Sequence, residues 1–126
     1  MNFAQKSMHG VAGLYPDDDL ILYKDEAIER MGDQDIYREI AHYFASRLEQ
    51  SLQDLGLALG RADTEEATRL AHSMKSNCAT VGAEAMRVQC FTLEKLCRAG
   101  NIEAAREHYA LLAPKMLAMR EKLLAV

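Results

Sequence analysis

Residues 63–82 read Asp63-Thr64-Glu65-Glu66-Ala67-Thr68-Arg69-Leu70-Ala71-His72-Ser73-Met74-Lys75-Ser76-Asn77-Cys78-Ala79-Thr80-Val81-Gly82, and this stretch decides the fold. Ala67, Leu70, Ala71, Met74, Cys78 and Val81 recur at steps of three, four and one. That spacing places their side chains on one stripe of a helix turning about 100° per residue. Asp63 followed by Glu66 resembles a capping box at the start of the helix. Gly82 supplies the left-handed residue that closes it. A helix with a single apolar stripe has to bury that stripe against other elements.

The flanking sequence provides them. From Gln34 to about Gly60, the residues Ile36, Ile40, Tyr43, Phe44, Leu48, Leu52, Leu55 and Leu59 keep helical spacing, and Gly60-Arg61-Ala62 interrupts it. Downstream, Ala83–Arg98 carries Met86, Cys90, Leu93 and Cys97 on one face, and Gly100-Asn101 punctuates again. The last segment, Ile102 to about Leu124, contains Pro114, for which a kink or break just before the proline is expected. Upstream, Gly32-Asp33 reads as stop and restart, and the acids Asp17, Asp18 and Asp19 after Pro16 suit a helix N-terminus. Residues 1–19 are expected to form an arm or a short capping helix. Residues 20–126 are expected to form an all-α domain, an antiparallel four-helix bundle running up-down-up-down.

Composition agrees and narrows the function classes. A chain of 126 residues with 49% apolar content suits one domain. At that size burial of roughly 70% of the unfolded surface needs no disulfide or metal. Two prolines, no tryptophan and 6% aromatics argue against an all-β fold. A net charge of −4 leaves no footprint for nucleic acid. Cys78, Cys90 and Cys97 form neither a disulfide framework nor a zinc motif, and they fall on apolar stripes. There is no signal-peptide pattern and no membrane-length apolar run. The expected location is the cytoplasm, without membrane partners.

His72 lies about 150° from the centre of its helix's apolar stripe. Arg69 precedes it by one turn and Lys75 follows by one turn, so a cation can approach an anion attached to the ring. Ser76 and Ala79 are small and leave the imidazole approachable. A neutral imidazole is a good nucleophile, and flanking cations would stabilise a phosphoryl group on it. The plain alternative is a solvated surface histidine beside ordinary surface cations.

The wider string favours the functional reading. Ala71-His72-Ser73-Met74-Lys75-Ser76, then Val81-Gly82-Ala83, Leu93-Glu94 and Arg98-Ala99-Gly100, resembles the histidine-containing phosphotransfer (HPt) domain pattern A-H-x-L-K-G, L-G-A, L-E, R-x-G. Asp25-Glu26-Ala27, Met31-Gly32-Asp33, Tyr37 and Phe44 resemble that family's opening helices, so the likeness spans about residues 22–122. The resemblance implies a phosphorelay intermediate. It would accept a phosphoryl group on His72 from a receiver aspartyl phosphate and pass it to the aspartate of another response regulator. By position Lys75 would pair with the phosphoryl group, and Glu94 would hydrogen-bond the ring and fix its tautomer. Arg69 and Ser76 would support the site, and Gly82 would be a structural turn. Ser76 departs from the family's usual Gly and bears on how a partner fits. The resemblance further implies no kinase activity and no cofactor in this chain, Mg²⁺ belonging to the receiver. Its expected partners are response-regulator receiver domains and a hybrid sensor histidine kinase, met by a monomer.

Three other readings fit the sequence less well. A di-iron bundle needs two inward Glu-x-x-His motifs, and Glu39-Ile40-Ala41-His42 stands without a second. His42 reads as solvated, and His9 and His108 have no constellation. A sensor-kinase dimerisation domain would carry an acid after the histidine, where Ser73 stands. A helical adaptor that binds a receiver or kinase without being phosphorylated has no need of His72 and Lys75 together.

Overall fold

The computed structural model describes residues 17–126; of the arm expected over residues 1–19, residues 1–16, with His9, lie outside the described residues. Helices end where the punctuation residues stand. After a short 3-10 turn at Asp17–Leu20, the described residues form α1 (Lys24–Met31), α2 (Gln34–Gly60), α3 (Thr64–Val81), α4 (Glu84–Arg98) and α5 (Ile102–Leu124). Asp33 accepts hydrogen bonds from the amides of Asp35 and Ile36, Asp63 from Glu66 and Asn101 from Ala104. Each satisfies a first-turn donor that the helix itself leaves free. The capping box at Asp63 is half formed, because the Glu66 carboxylate turns to Arg69 instead of reaching back.

α2 packs against α3 and α5, and α4 packs against the same two helices, closing a ring around one core. Leu48, Leu55 and Leu59 from α2 meet Met86 and Leu93 from α4 and Met116, Met119 and Leu123 from α5 in that core. Cys78, Cys90 and Cys97 are buried within it, as their positions on the stripes imply.

Three expectations change. The helix anticipated from Asp17 begins only at Lys24; Asp19 pairs with Lys115 at 3.1 Å, and Leu20 is buried. Pro114 does not break α5, which runs through it. Proline would remove the bond to the carbonyl of Ala110, and both residues are exposed, so water can take the donor's place. The inward face at the start of α2 is also not the expected one. Tyr37, Ala41, Phe44 and Ala45 are buried, whereas Ile36, Ile40 and Tyr43 are 45%, 36% and 68% exposed. The Tyr37 hydroxyl donates to the Val81 carbonyl at 2.8 Å, and this bond turns the tyrosine strip inward.

The end of α3 is a junction. Gly82 has φ +82°, its amide donates to Ala79 and that of Ala83 to Cys78, the paired bonds of a Schellman motif. The carbonyls at the end of α3 and on its closing glycine are taken by side chains and backbone from earlier in the chain: Ala79 by Arg30, Val81 by Tyr37 and Gly82 by the Tyr23 amide at 2.9 Å. A Cβ at position 82 would stand 2.6 Å from the Tyr23 carbonyl oxygen, while one at Gly32, of similar φ, meets open space. Gly32→Ala should therefore lose about 1 kcal/mol from the left-handed conformation alone. Gly82→Ala should lose clearly more, roughly 2–3 kcal/mol, because the clash adds to the strain. Equal losses in denaturant unfolding would contradict this account of the junction.

Candidate functional site

The apolar stripe of α3 faces the core, so His72 faces out, with 57% of its side chain exposed. Its Nδ1 lies 3.1 Å from Oε2 of Glu94, on the middle of α4. Glu94 stands four residues after Cys90 and three before Cys97, on the inward stripe of its helix. Only 2% of its side chain is exposed. Three basic groups converge on this carboxylate. Arg98, one turn on, donates from Nη2 to Oε2 at 2.7 Å, and His72 donates to the same oxygen. The Lys75 ammonium stands 2.8 Å from Oε1. That contact is not aligned as a hydrogen bond, so the ammonium holds Oε1 by charge. Lys75 also lies over the Phe91 ring, 4.8 Å from its centroid, with Lys95 over the same ring at 4.5 Å.

Burial alone would push the Glu94 carboxyl up. The charge of Lys75 and the bonds from His72 and Arg98 outweigh it and hold the group down to about 2. Glu94 is therefore a carboxylate at any ordinary pH and can only accept. In the neutral ring the proton of the shared bond is therefore on Nδ1 of His72, which leaves the lone pair on Nε2.

The site residues read from the sequence do not all meet. His72, Lys75 and Glu94 form one cluster. Arg69 does not join it; its guanidinium is bonded to Glu66, one turn back. Ser76 is exposed one turn beyond His72 and leaves the ring uncovered. Gly82 is structural, as its φ requires. Arg98 is the residue that the sequence reading left out of the site. The signal was present, since an arginine four residues after an acid on one helix pairs with it. The burial of Glu94 was likewise written in its register with Cys90 and Cys97.

The two other histidines among the described residues bond to backbone carbonyls of the bundle. His42 is half-buried rather than solvated and donates from Nε2 to the carbonyl of Val126 at 3.2 Å. His108 donates to Gln89 at 3.0 Å. Among the described residues no group of three His, Cys, Asp or Glu could hold a metal ion. Nor is any described helix long and apolar enough to cross a membrane.

Comparison with protein-family models matches the Hpt domain over residues 39–125. The match covers most of the chain and includes the whole cluster around His72. The chain belongs to the Hpt domain family, the histidine phosphotransfer modules of two-component phosphorelays. Comparison with curated proteins and with solved structures gave no match.

A carboxyl held below its ordinary value stabilises the fold above that value, and the contribution is lost as pH falls through the folded one. Wild-type stability should therefore decline between pH 4.5 and about 2 through Glu94. Glu94→Gln should remove that part of the decline. Acid titrations of unfolding free energy with the same slope in both proteins would show that the ion cluster carries no such weight.

Proposed function

We propose that this chain is a phosphorelay intermediate with His72 as phosphoacceptor. Nε2 of His72 attacks the phosphorus of a receiver aspartyl phosphate, the phosphoryl group rests on the ring, and the aspartate of a second response regulator takes it away. The observation that carries this reading is an exposed imidazole whose Nδ1–H is committed to a buried carboxylate, leaving Nε2 as the nucleophile. Positioning a nucleophile and balancing charge is the work of such a carrier. Lys75 is close enough to turn from Glu94 toward a phosphoryl group on the ring. Mg²⁺ and the remaining catalytic groups come from the receiver, and the chain has no kinase activity of its own.

The ring of helix contacts supports an antiparallel up-down-up-down bundle over residues 20–126, acting as a cytoplasmic monomer. The partners are receiver domains, with a hybrid sensor histidine kinase upstream. They dock on the outer face of α3, where Ser73, Ser76 and Asn77 are small and exposed. Ile40 and Tyr43 of α2 line a recess with Asn77 on one flank, and Val88 and Phe91 of α4 are exposed on the other. Apolar flanks beside a polar strip suit a transient interface.

Incubation with a phosphorylated receiver should place acid-labile, base-stable label on the wild type and none on His72→Gln. Label on His72→Gln at the wild-type level would remove the site assignment. Lys75→Ala should slow transfer by roughly tenfold, the scale of one charge-assisted hydrogen bond. A protein that binds receivers but takes label from none of them would be the adaptor instead.

A further inference from the structure

The proposed acceptor has a feature that the transfer itself does not require. Its ring proton is held by a full negative charge rather than by a neutral acceptor. Bond bookkeeping shows what that does once a phosphoryl group is attached. A neutral imidazole with Nδ1–H attacks through Nε2; the N–P bond forms, the P–O bond breaks, and the donor carboxylate leaves with the electron pair. The phosphorylated ring is then a cation that still carries Nδ1–H. If the proton stays, the next aspartate oxygen attacks phosphorus, the N–P bond breaks, and its electron pair returns to Nε2 of a neutral imidazole. If the proton is lost, the leaving group would be an imidazolide anion, and the phosphoryl group is stored until the ring is protonated again.

We infer that Glu94 is a positioning residue that keeps the proton on Nδ1 of phosphorylated His72, so that the phosphoryl group enters and leaves without proton exchange and is held in a readily transferable form. This rests on the reading of His72 as phosphoacceptor. Glu94 Oε2 lies 3.1 Å from Nδ1 and is already ionised, so it needs no movement to meet a cationic ring. Its burial keeps water from competing for that proton.

The other charges around α3 leave this role to Glu94. On α3 itself, Arg69 is bonded to Glu66. Lys75, also on α3, and Arg98 from α4 are paired with Glu94, and Lys95 of α4 lies over Phe91. From α2, Arg47 borders the recess at Asn77, and from α1 Arg30 bonds the Ala79 carbonyl. The acid in contact with the ring is Glu94. A phosphoryl group also draws Lys75 away from Oε1, which leaves more of the carboxylate's charge for the ring.

The test uses the whole chain phosphorylated by phosphoramidate, whose P–N bond breaks to release ammonia, so no partner is needed. Phosphohistidine is followed by ³¹P resonance in wild type, Glu94→Gln and Glu94→Asp, with His72→Gln as the blank. Wild type that takes no label refutes the phosphoacceptor reading itself. Given label, Glu94→Gln should retain it roughly tenfold longer at neutral pH, the scale by which a charged acceptor outweighs a neutral one. Its pH profile of label loss should move to lower pH, because the ring gives up its proton sooner, and Glu94→Asp should fall nearer wild type. Independently of any variant, ¹⁵N resonances of phosphorylated wild type should show Nδ1 protonated at neutral pH. Equal lifetimes and profiles in wild type and Glu94→Gln, or a bare Nδ1 in the wild type, would overturn the inference.

Discussion

A carboxylate with 2% of its side chain exposed cannot stay ionised without counter-charge, and Glu94 is such a group. The packing of α3 against α4 buries it, and Lys75, Arg98 and the His72 ring gather around it. Each of these side chains is long or exposed, and each would have many rotamers if the acid were absent. The buried charge thus converts an interface between two helices into a defined orientation for one ring. Breaking such a cluster by removing a single member costs more than never having built it. The arrangement therefore ties the chemistry of the site to the packing of the bundle.

Much of this was legible in the sequence, where the physics is local. Gly32, Gly82 and Gly100 take positive φ, and Asp33, Asp63 and Asn101 cap first turns; each acts on its own few residues. The outward placement of His72 followed from the stripe beneath it. The inward face of α2 depended instead on a partner distant in the chain. Two strips of α2, one starting at Ile36 and one at Tyr37, satisfy helical spacing equally. Hydropathy favours the isoleucines, yet the Tyr37 hydroxyl finds Val81 forty-four positions away. The fate of Arg69 was set by Glu66, a competitor on its own helix that charge counting overlooked.

The apolar side chains displaced by that choice are not idle surface. Ile40 and Tyr43 border the same helix face that presents His72, and α4 offers Val88 and Phe91 across it. A core that took the isoleucines inward would have left a more polar flank. The tyrosine that docks on the end of α3 thus also shapes the ground a partner would meet. Phe91 adds a second effect, since the ammonium groups of two lysines lie over its ring and their charge is held at this flank.

His72 lies ten residues before Gly82 and Glu94 twelve after it, on the two arms of one hairpin. The contact between them is set by counting along both arms from that turn. One residue gained or lost in either arm rotates everything beyond it by about 100° and advances it by about 1.5 Å. Glu94 would swing out of the core, or His72 into it. Sequence on these arms can change in kind but not in number, whereas the loops at Arg61 and Ala99, outside this span, are free to lengthen.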